Sequence, residues 1–489
     1  MSTPWQKDGY EAVIGLEIHV QLNTNSKMFC SCPNQFGDEP NTNVCFVCLA
    51  HPGALPVANA EAVRQSARVG LALGCRIPDT SEFSRKQYFY PDSPKAYQIS
   101  QYDQPLCAEG MFRVPGADGF EVRITRAHLE EDAAKMIHAG GDSGRISGSA
   151  GSVVDFNRVG TPLLEIVTEP DIRSPEDARR FLTLLRATVV AIGASECDME
   201  KGSLRADANV SIRPIGSTEY GTKTELKNMN SFRFLERGVE AELERQLGLL
   251  QAGEKIEQET LHFDPATGTL SSLRSKEQAH DYRYFPEPDL LPVTQDQASL
   301  AALAADLPEL PVARFERLTE AGIVEATALV LATDTELAAY FDDLAARTGD
   351  IKVASNWVMG ELQAHLNADN LSAAESPVTP ERLAALITLV VDGTINQTAA
   401  KEVFAALVED PAATAAGVVA ERNLAQVGGD DALGEIIDAV LAAHPDEVEA
   451  FKGGREQVIG FLVGQCMKQS GGRADAKALQ GLLRERLSA

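Results

Sequence analysis

Four of the chain's eight cysteines lie within nineteen residues, as Cys30-Ser-Cys32 and Cys45-Phe-Val-Cys48, with twelve residues between the pairs. Two close pairs of thiols on tight turns bring four soft donors to one point, the donor set of a tetrahedral Zn²⁺ site. Such a shell is closed, so it staples a loop, here residues 27–52, and leaves no position for activating water. That argues against a free-standing zinc hydrolase. Two disulfides are the alternative that this spacing allows. Cys75, Cys107, Cys197 and Cys466 stand singly and read as small buried hydrophobes. Clustered free thiols point to a reducing, cytoplasmic setting.

A second group of donors is hard rather than soft. From Tyr10 to Leu22 the residues alternate. Ala12, Ile14, Leu16, Ile18, Val20 and Leu22 form one face of a strand, and Gly15, Glu17, His19 and Gln21 form the other. A carboxylate and an imidazole on adjacent same-side positions can hold a divalent cation or share a proton. An ordinary solvent-facing strand face is the competing reading of this strand alone. More carboxylates follow in His128-Leu-Glu130-Glu131-Asp132, which reads as a helix start. Glu165 interrupts the apolar strand Pro162-Leu-Leu-Glu-Ile-Val-Thr168. An ionised group in such a strand needs a partner or a metal. Oxygen ligands with one imidazole suit Mg²⁺ or Mn²⁺, and Mg²⁺ points to phosphoryl chemistry.

No G-x-x-x-x-G-K-[ST] sequence occurs, which argues against a P-loop ATPase. The glycine-dense stretch Gly140–Gly151 could wrap phosphates, but a mobile loop is the stronger reading. Arg85 to Asp103 interleaves Tyr88, Phe89, Tyr90, Tyr97 and Tyr102 with Arg85, Lys86 and Lys95, without helix or strand periodicity. Aromatics beside cations can stack a base while holding phosphate, so this loop is expected to be a binding surface. Gly202 to Arg213 reads as a strand with Arg205, Asp207 and Asn209 on one face. Lys223, Glu225, Lys227 and the run Asn228–Ser231 follow, suited to a broad ligand cradle.

These donors require a scaffold, and 489 residues are enough for two to four domains. Short β-like runs with Gly, Pro and Asn turns dominate before residue 295. Ala- and Leu-rich segments of helical spacing follow, among them Gln297–Ala305, Pro380–Val391 and Ala432–Ala443. Prolines in Asp281–Pro292 forbid a helix across the junction. The expected fold is α+β: a cradle domain over 1–294, built on an antiparallel or mixed β-sheet with flanking helices, then helical regions over 295–410 and 411–489. No apolar run is long enough to span a membrane. The opening residues lack the apolar core of a secretory signal. A formal net charge of −27 argues against non-specific nucleic-acid binding. From Phe451 onward, however, seven cations face three anions. That basic tail is the asymmetry expected if one end touches phosphate, and a solvated helix face explains the charge equally well.

The motifs Val13-Ile-Gly-Leu-Glu-Ile-His19, Lys27-Met-Phe-Cys30, Pro52-Gly-Ala-Leu-Pro56, Tyr88-Phe-Tyr-Pro-Asp92, Lys95-Ala-Tyr-Gln-Ile-Ser100, Glu130-Glu-Asp132, Thr161-Pro-Leu-Leu-Glu-Ile-Val167, Gly202-Ser-Leu-Arg205 and Tyr282-Arg-Tyr-Phe-Pro-Glu-Pro-Asp289 together resemble the B subunits of tRNA-dependent amidotransferases, the GatB/GatE family. Ser355-Asn-Trp357 and Gly464-Gln-Cys-Met-Lys468 extend the resemblance through the helical half. It implies a protein that phosphorylates the side-chain carboxylate of misacylated Glu-tRNA(Gln) or Asp-tRNA(Asn) with ATP and Mg²⁺, within a heterotrimer. The other two members would be a glutaminase of the amidase type, the A subunit, and the small C subunit. Ammonia from the amidase then displaces phosphate. A non-catalytic tRNA-binding adaptor of the same complex is the alternative. By similarity Glu17, His19, Glu131 and Glu165 would surround Mg²⁺, with Glu130 close by. Tyr88, Lys95 and Arg205 would hold ATP or the tRNA end, Cys30, Cys32, Cys45 and Cys48 would hold Zn²⁺, and 411–489 would be a YqeY-like tail. Phe46 stands where the family often has Pro, and Gly471 and Ala476 depart from its tail pattern.

Overall fold

The computed structural model describes residues 3–139, 151–227, 229–275, 279–426 and 430–488. The glycine-dense stretch expected to be a mobile loop falls, over residues 140–150, outside these. The chain forms two compact units, Met1–Arg317 and Leu318–Ala489. The first unit thus extends past residue 294 and takes in helix α4 (Gln297–Ala305), which packs on α1 (Ala60–Ala72), and most of α5 (Pro311–Glu320).

The first unit is built on one nine-stranded sheet. In spatial order its strands are β14 (Thr269–Ser275), β13 (Glu259–Asp264), β12 (Thr224–Lys227), β11 (Leu204–Pro214), β2 (Tyr10–Gln21), β10 (Pro162–Thr168), β7 (Phe120–Glu131) and β6 (Cys107–Val114), and β1 (Gln6–Lys7) pairs with β2. All pairs are antiparallel except β12 with β13, so the sheet is mixed, as expected. Strand β2 sits centrally because its alternation supplies an unbroken apolar side. Ala12, Ile14, Leu16, Ile18 and Val20 are all buried. Helices α2 (Pro175–Ala191) and α3 (Phe232–Gln251) pack on each other, α3 also packs on β11, and Ser174 and Ser231 cap them through side-chain oxygens.

Smaller sheets border this one. Strand β3 (Thr80–Ser81) pairs with β16 (Val293–Thr294). β4 (Ser84–Gln87) pairs with β5 (Tyr97–Ser100) and with β15 (Phe285–Pro286), and β8 (Lys135–Ala139) pairs with β9 (Gly151–Asp155).

Two expectations are corrected here. His128–Asp132 is no helix start: His128 to Glu131 end β7, and the residues after Ala134 form β8. Three consecutive acids mimic a helix's first turn, but this end of β7 pairs residue by residue with β10, from His128 opposite Glu165 to Glu131 opposite Pro162, and the ladder overrides that local preference. The segment from Arg85 to Asp103 is not wholly irregular, since β4 and β5 lie within or across it. Each has four residues, too few to show a period, and the third strand of their sheet comes from some two hundred residues away.

The second unit is helical among its described residues. It comprises α6 (Glu325–Thr333), α7 (Thr335–Thr348), α8 (Ile351–Trp357), a π-turn over Val358–Leu362, α9 (Gln363–Asp369), α10 (Pro380–Val391), α11 (Gln397–Glu409), α12 (Ala415–Glu421), α13 (Asp430–Ala443), α14 (Pro445–Lys452), α15 (Val458–Gln469) and α16 (Ala476–Ser488). Thr379 caps α10 ahead of Pro380, as its sequence predicts. Leu433, Ile437, Ile459, Leu462, Cys466, Leu479 and Leu483 join α13, α15 and α16 in one core. No helix of the described residues is long and apolar enough to cross a membrane.

Candidate active site

The polar face of the large sheet acquires its chemistry from register. Across four neighbouring strands, Arg205 on β11 lies opposite His19 on β2, His19 opposite Glu165 on β10, and Glu165 opposite His128 on β7. One row along β2, Glu17 faces Asp207. Two residues the other way, Gln21 faces Leu163, which in turn faces Glu130. Directly opposed residues have Cβ atoms about 5 Å apart, so each row forms a continuous side-chain surface.

Four side chains meet at the centre. His19 Nε2 lies 3.4 Å from Glu165 Oε2 and 3.8 Å from Glu130 Oε1. His128 Nε2 lies 3.5 Å from Glu165 Oε2 and 3.8 Å from Glu130 Oε2. Arg126 Nε donates to His128 Nδ1 at 3.2 Å, so Nδ1 is an acceptor and the His128 proton sits on Nε2, facing the carboxylates. Ser100 Oγ donates to Glu130 Oε2 at 3.2 Å. Burial works against ionisation of Glu165, but the electrostatic attraction of the His128 Nε2–H and its hydrogen bond, together with those of His19, hold its pKa well below the usual carboxylate range. Burial likewise works against charge on His19. Its hydrogen bond to Glu165 and the charges of Glu165 and Glu130 outweigh that and raise its pKa. The ammonium of half-buried Lys86 is held above its ordinary value against desolvation, by Glu130 first and then Glu165.

Around this centre the polar groups are fixed in pairs. Glu131 Oε1 accepts from Ile99 N at 3.0 Å and also pairs with Lys95. Asp132 Oδ2 accepts from Arg205 Nη2 and Gln21 Nε2, each at 2.8 Å. Asn209 Nδ2 donates to Glu17 Oε1 at 2.9 Å, and Lys227 Nζ to Asp207 Oδ2 at 3.1 Å. Tyr88 OH donates to Asp92 Oδ2 at 3.5 Å. A pocket of about 240 Å³ opens over the centre, and His19, Lys86, Tyr88, Lys95, Glu130 and Arg205 are among its walls.

Among the described residues, the hard-donor set whose ligand atoms all lie within 4.8 Å of one another is His19, Glu130 and Glu165. Two carboxylates and an imidazole at that spacing fit Mg²⁺ or Mn²⁺. Glu17 and Glu131, expected as ligands, instead engage Asn209 and Lys95, so this geometry favours Glu130 over Glu131. Tyr88, Lys95 and Arg205 all reach the pocket. The sequence gave His128 no role, Lys86 only a place among the cations of the Arg85–Asp103 binding loop, and Asp132 only a place among three consecutive carboxylates. Once β7 is a strand, its period of two puts His128 and Glu130 on one face, as it does Glu17 and His19 on β2.

The cysteine cluster lies in the loop following β2. The sulfurs of Cys30, Cys32, Cys45 and Cys48 lie within 4.8 Å of one another, and all eight cysteines are free. Cys48 is held down to about 5, first by its hydrogen bond with Cys30, while that bond pushes Cys30 up. A thiolate already favoured among four converging sulfurs fits zinc.

A mixed sheet that gathers carboxylates, imidazoles and cations over one pocket, beside a four-cysteine knuckle, has the donor set of a phosphoryl-handling catalytic cradle. Residues 12–301 match the family model described as the GatB/GatE catalytic domain, and residues 339–487 match the GatB domain. The chain belongs to the GatB family. It is 50% identical over 484 residues to the B subunit of the aspartyl/glutamyl-tRNA(Asn/Gln) amidotransferase of Moorella thermoacetica, covering 98% of this chain and 100% of that one. The protein of the same name from Thermodesulfovibrio yellowstonii is 48% identical over 476 residues, with 97% and 98% covered. The B subunit of the chloroplastic/mitochondrial glutamyl-tRNA(Gln) amidotransferase of Physcomitrium patens is 46% identical over 486 residues, with 98% and 86% covered.

Proposed function

We propose that this chain is the transamidating B subunit of a glutamine-dependent amidotransferase, a carbon–nitrogen ligase that converts Glu-tRNA(Gln), Asp-tRNA(Asn) or both to the amidated forms. Membership of the GatB family supports the class of reaction. The observation that carries the catalytic reading is the convergence of His19, Glu130 and Glu165 within 4.8 Å of one another, at a pocket that His19 and Glu130 line together with several cations. A protein that only presented tRNA would have no use for it.

A carboxylate does not accept ammonia until one of its oxygens becomes a leaving group. In the proposed sequence, the side-chain carboxylate of the tRNA-bound amino acid attacks the γ-phosphorus of ATP and ADP departs. Ammonia then attacks the acyl carbon and phosphate leaves. His19, Glu130 and Glu165 would hold Mg²⁺, which when bound neutralises charge on the transferring phosphoryl group. Lys86, Lys95, Arg205 and Lys227 offer cations to phosphate from the pocket wall. Glu131 and Asp132 orient Lys95 and Arg205, while Glu17 and Asn209 brace the adjoining row. Tyr88, Lys95 and Arg205 are the proposed contacts to ATP or the tRNA terminus. Cys30, Cys32, Cys45 and Cys48 would hold a structural Zn²⁺.

The proposed partners are an amidase (the glutaminase that supplies ammonia), a small third chain completing the heterotrimer, and the misacylated tRNA, in the cytoplasm. We assign tRNA contact to the helical half, with 295–410 as a helical domain and 411–489 as a YqeY-like tail. Glu165→Gln in the reconstituted complex tests the catalytic role. Phosphorylation of the tRNA-bound carboxylate is expected to fall at least about a hundredfold, while glutamine hydrolysis continues. Phosphorylation at the parental rate would favour an adaptor instead.

A further inference from the structure

Lys27 stands three residues before Cys30 and has no exposed surface. Its Nζ donates to Asn43 O at 2.7 Å and to Phe156 O at 3.3 Å. Among the described residues no carboxylate lies within ion-pair reach of it. Burying an ammonium is costly even after relaxation, and two neutral carbonyls offset only part of that cost. The surroundings make the cost worse. Cys32, Cys48, Ala134 and Val159 form an apolar cluster with Val44, Val154 and Phe156 around the knuckle. The Lys27 stem lies at the edge of this cluster, against Gly160. A Cβ placed on Gly160 would lie 3.5 Å from Lys27 Cδ and 3.8 Å from Cys48 Cβ, so the lysine passes close beside a metal-ligating cysteine. Its backbone N–H also donates to Cys32 O at 3.0 Å.

The missing counter-charge is the knuckle itself. Four thiolates around one divalent cation carry a formal net charge of two minus, enclosed in the same apolar cluster. We infer that Lys27 is the buried counter-cation of the four-cysteine centre, compensating the charge of the thiolates and setting how tightly they hold the metal. This deepens the structural-zinc reading proposed above and rests on it. The geometry also explains the choice of lysine. A slim stem with a point charge threads past Gly160, where a planar guanidinium would need more room.

A lysine that only clamped Asn43 and Phe156 would stabilise the loop with or without metal. A counter-cation behaves differently. With zinc bound its charge is compensated, whereas without zinc it is a buried liability. Lys27→Met keeps the length and removes the charge. In the full chain, competition with a chromophoric chelator is expected to show zinc affinity lowered roughly 10- to 100-fold, the range seen for groups that support metal ligands. The melting temperature in excess chelator should stay level or rise, while that of the zinc-loaded protein falls. Lys27→Arg should keep zinc better than Lys27→Met. If Lys27→Met does not fold, Lys27→Gln serves for the same comparison. Unchanged zinc affinity, or equal losses of melting temperature with and without zinc, would overturn the inference. Wild-type protein that binds no zinc would instead overturn the reading of the centre on which it rests.

Discussion

Asp132 offers the most direct measure of what the site's ion pairing contributes. Its carboxylate is buried just beyond β7, and it accepts from Arg205 Nη2 and Gln21 Nε2 at 2.8 Å each, with Arg158 Nε 3.8 Å away. Asp132→Asn keeps the shape but removes the charge. The new amide has one acceptor oxygen for these donors, and its own N–H₂ has to face some of them. Breaking a fully buried pair costs about 3–5 kcal/mol, and an exposed pair is worth about 1 kcal/mol or less. The Arg205 side chain is 37% exposed and can turn to water, so the expected loss lies between, at about 2–3 kcal/mol.

The pH dependence provides the check. Burial alone would raise the pKa of Asp132, but Arg205, Arg158 and Gln21 outweigh it and hold the carboxyl below its ordinary value. A depressed folded-state pKa contributes stability that is fully present above the unfolded value of about 3.9 and is lost as pH falls through the folded value. Urea unfolding of wild type and Asp132→Asn should therefore give a constant gap from pH 7 down to about 4, closing in stronger acid. In a double-mutant cycle with Arg205→Met, most of the loss should appear as coupling. A gap under about 0.5 kcal/mol at pH 7, or one that widens as pH falls, would refute the argument.

Two other substitutions probe the supports of the site. Glu242 is fully buried and accepts from Thr224 Oγ1 at 2.6 Å, from Gln246 Nε2 at 2.8 Å and from Arg245 through both Nε and Nη2. Glu242→Leu should cost about 3–4 kcal/mol in urea unfolding and speed amide exchange in β12, which carries Lys227; a loss under about 1 kcal/mol would mean that this network is dispensable. Gly160 has φ +81°, and an added Cβ meets only ordinary contacts. Gly160→Ala should thus lose about 1–2 kcal/mol to backbone strain, seen as a lowered urea midpoint, while zinc affinity stays within about twofold.

What could be read along the chain was whatever a local pattern specifies. The cysteine pairs are legible because ligand spacing is a property of a few neighbouring residues. β2 is legible because one of its sides is apolar without interruption. The end of β7 is not, because the three acids there carry a helix-start signal and the residues that override it lie in β10. That single misreading hid two further facts, that Glu130 rather than Glu131 shares a face with His128, and that His128 belongs to the site at all. The row Arg205–His19–Glu165–His128 joins residues separated by up to 186 positions, and it exists only in one register. A slip of one residue in β10 would turn Glu165 to the opposite side of the sheet and bring Leu164 or Ile166 to the centre. The apolar residues that flank Glu165 therefore do more than fill the core. By fixing the register of β10 between β2 and β7, they hold a buried carboxylate where two imidazoles can keep it ionised.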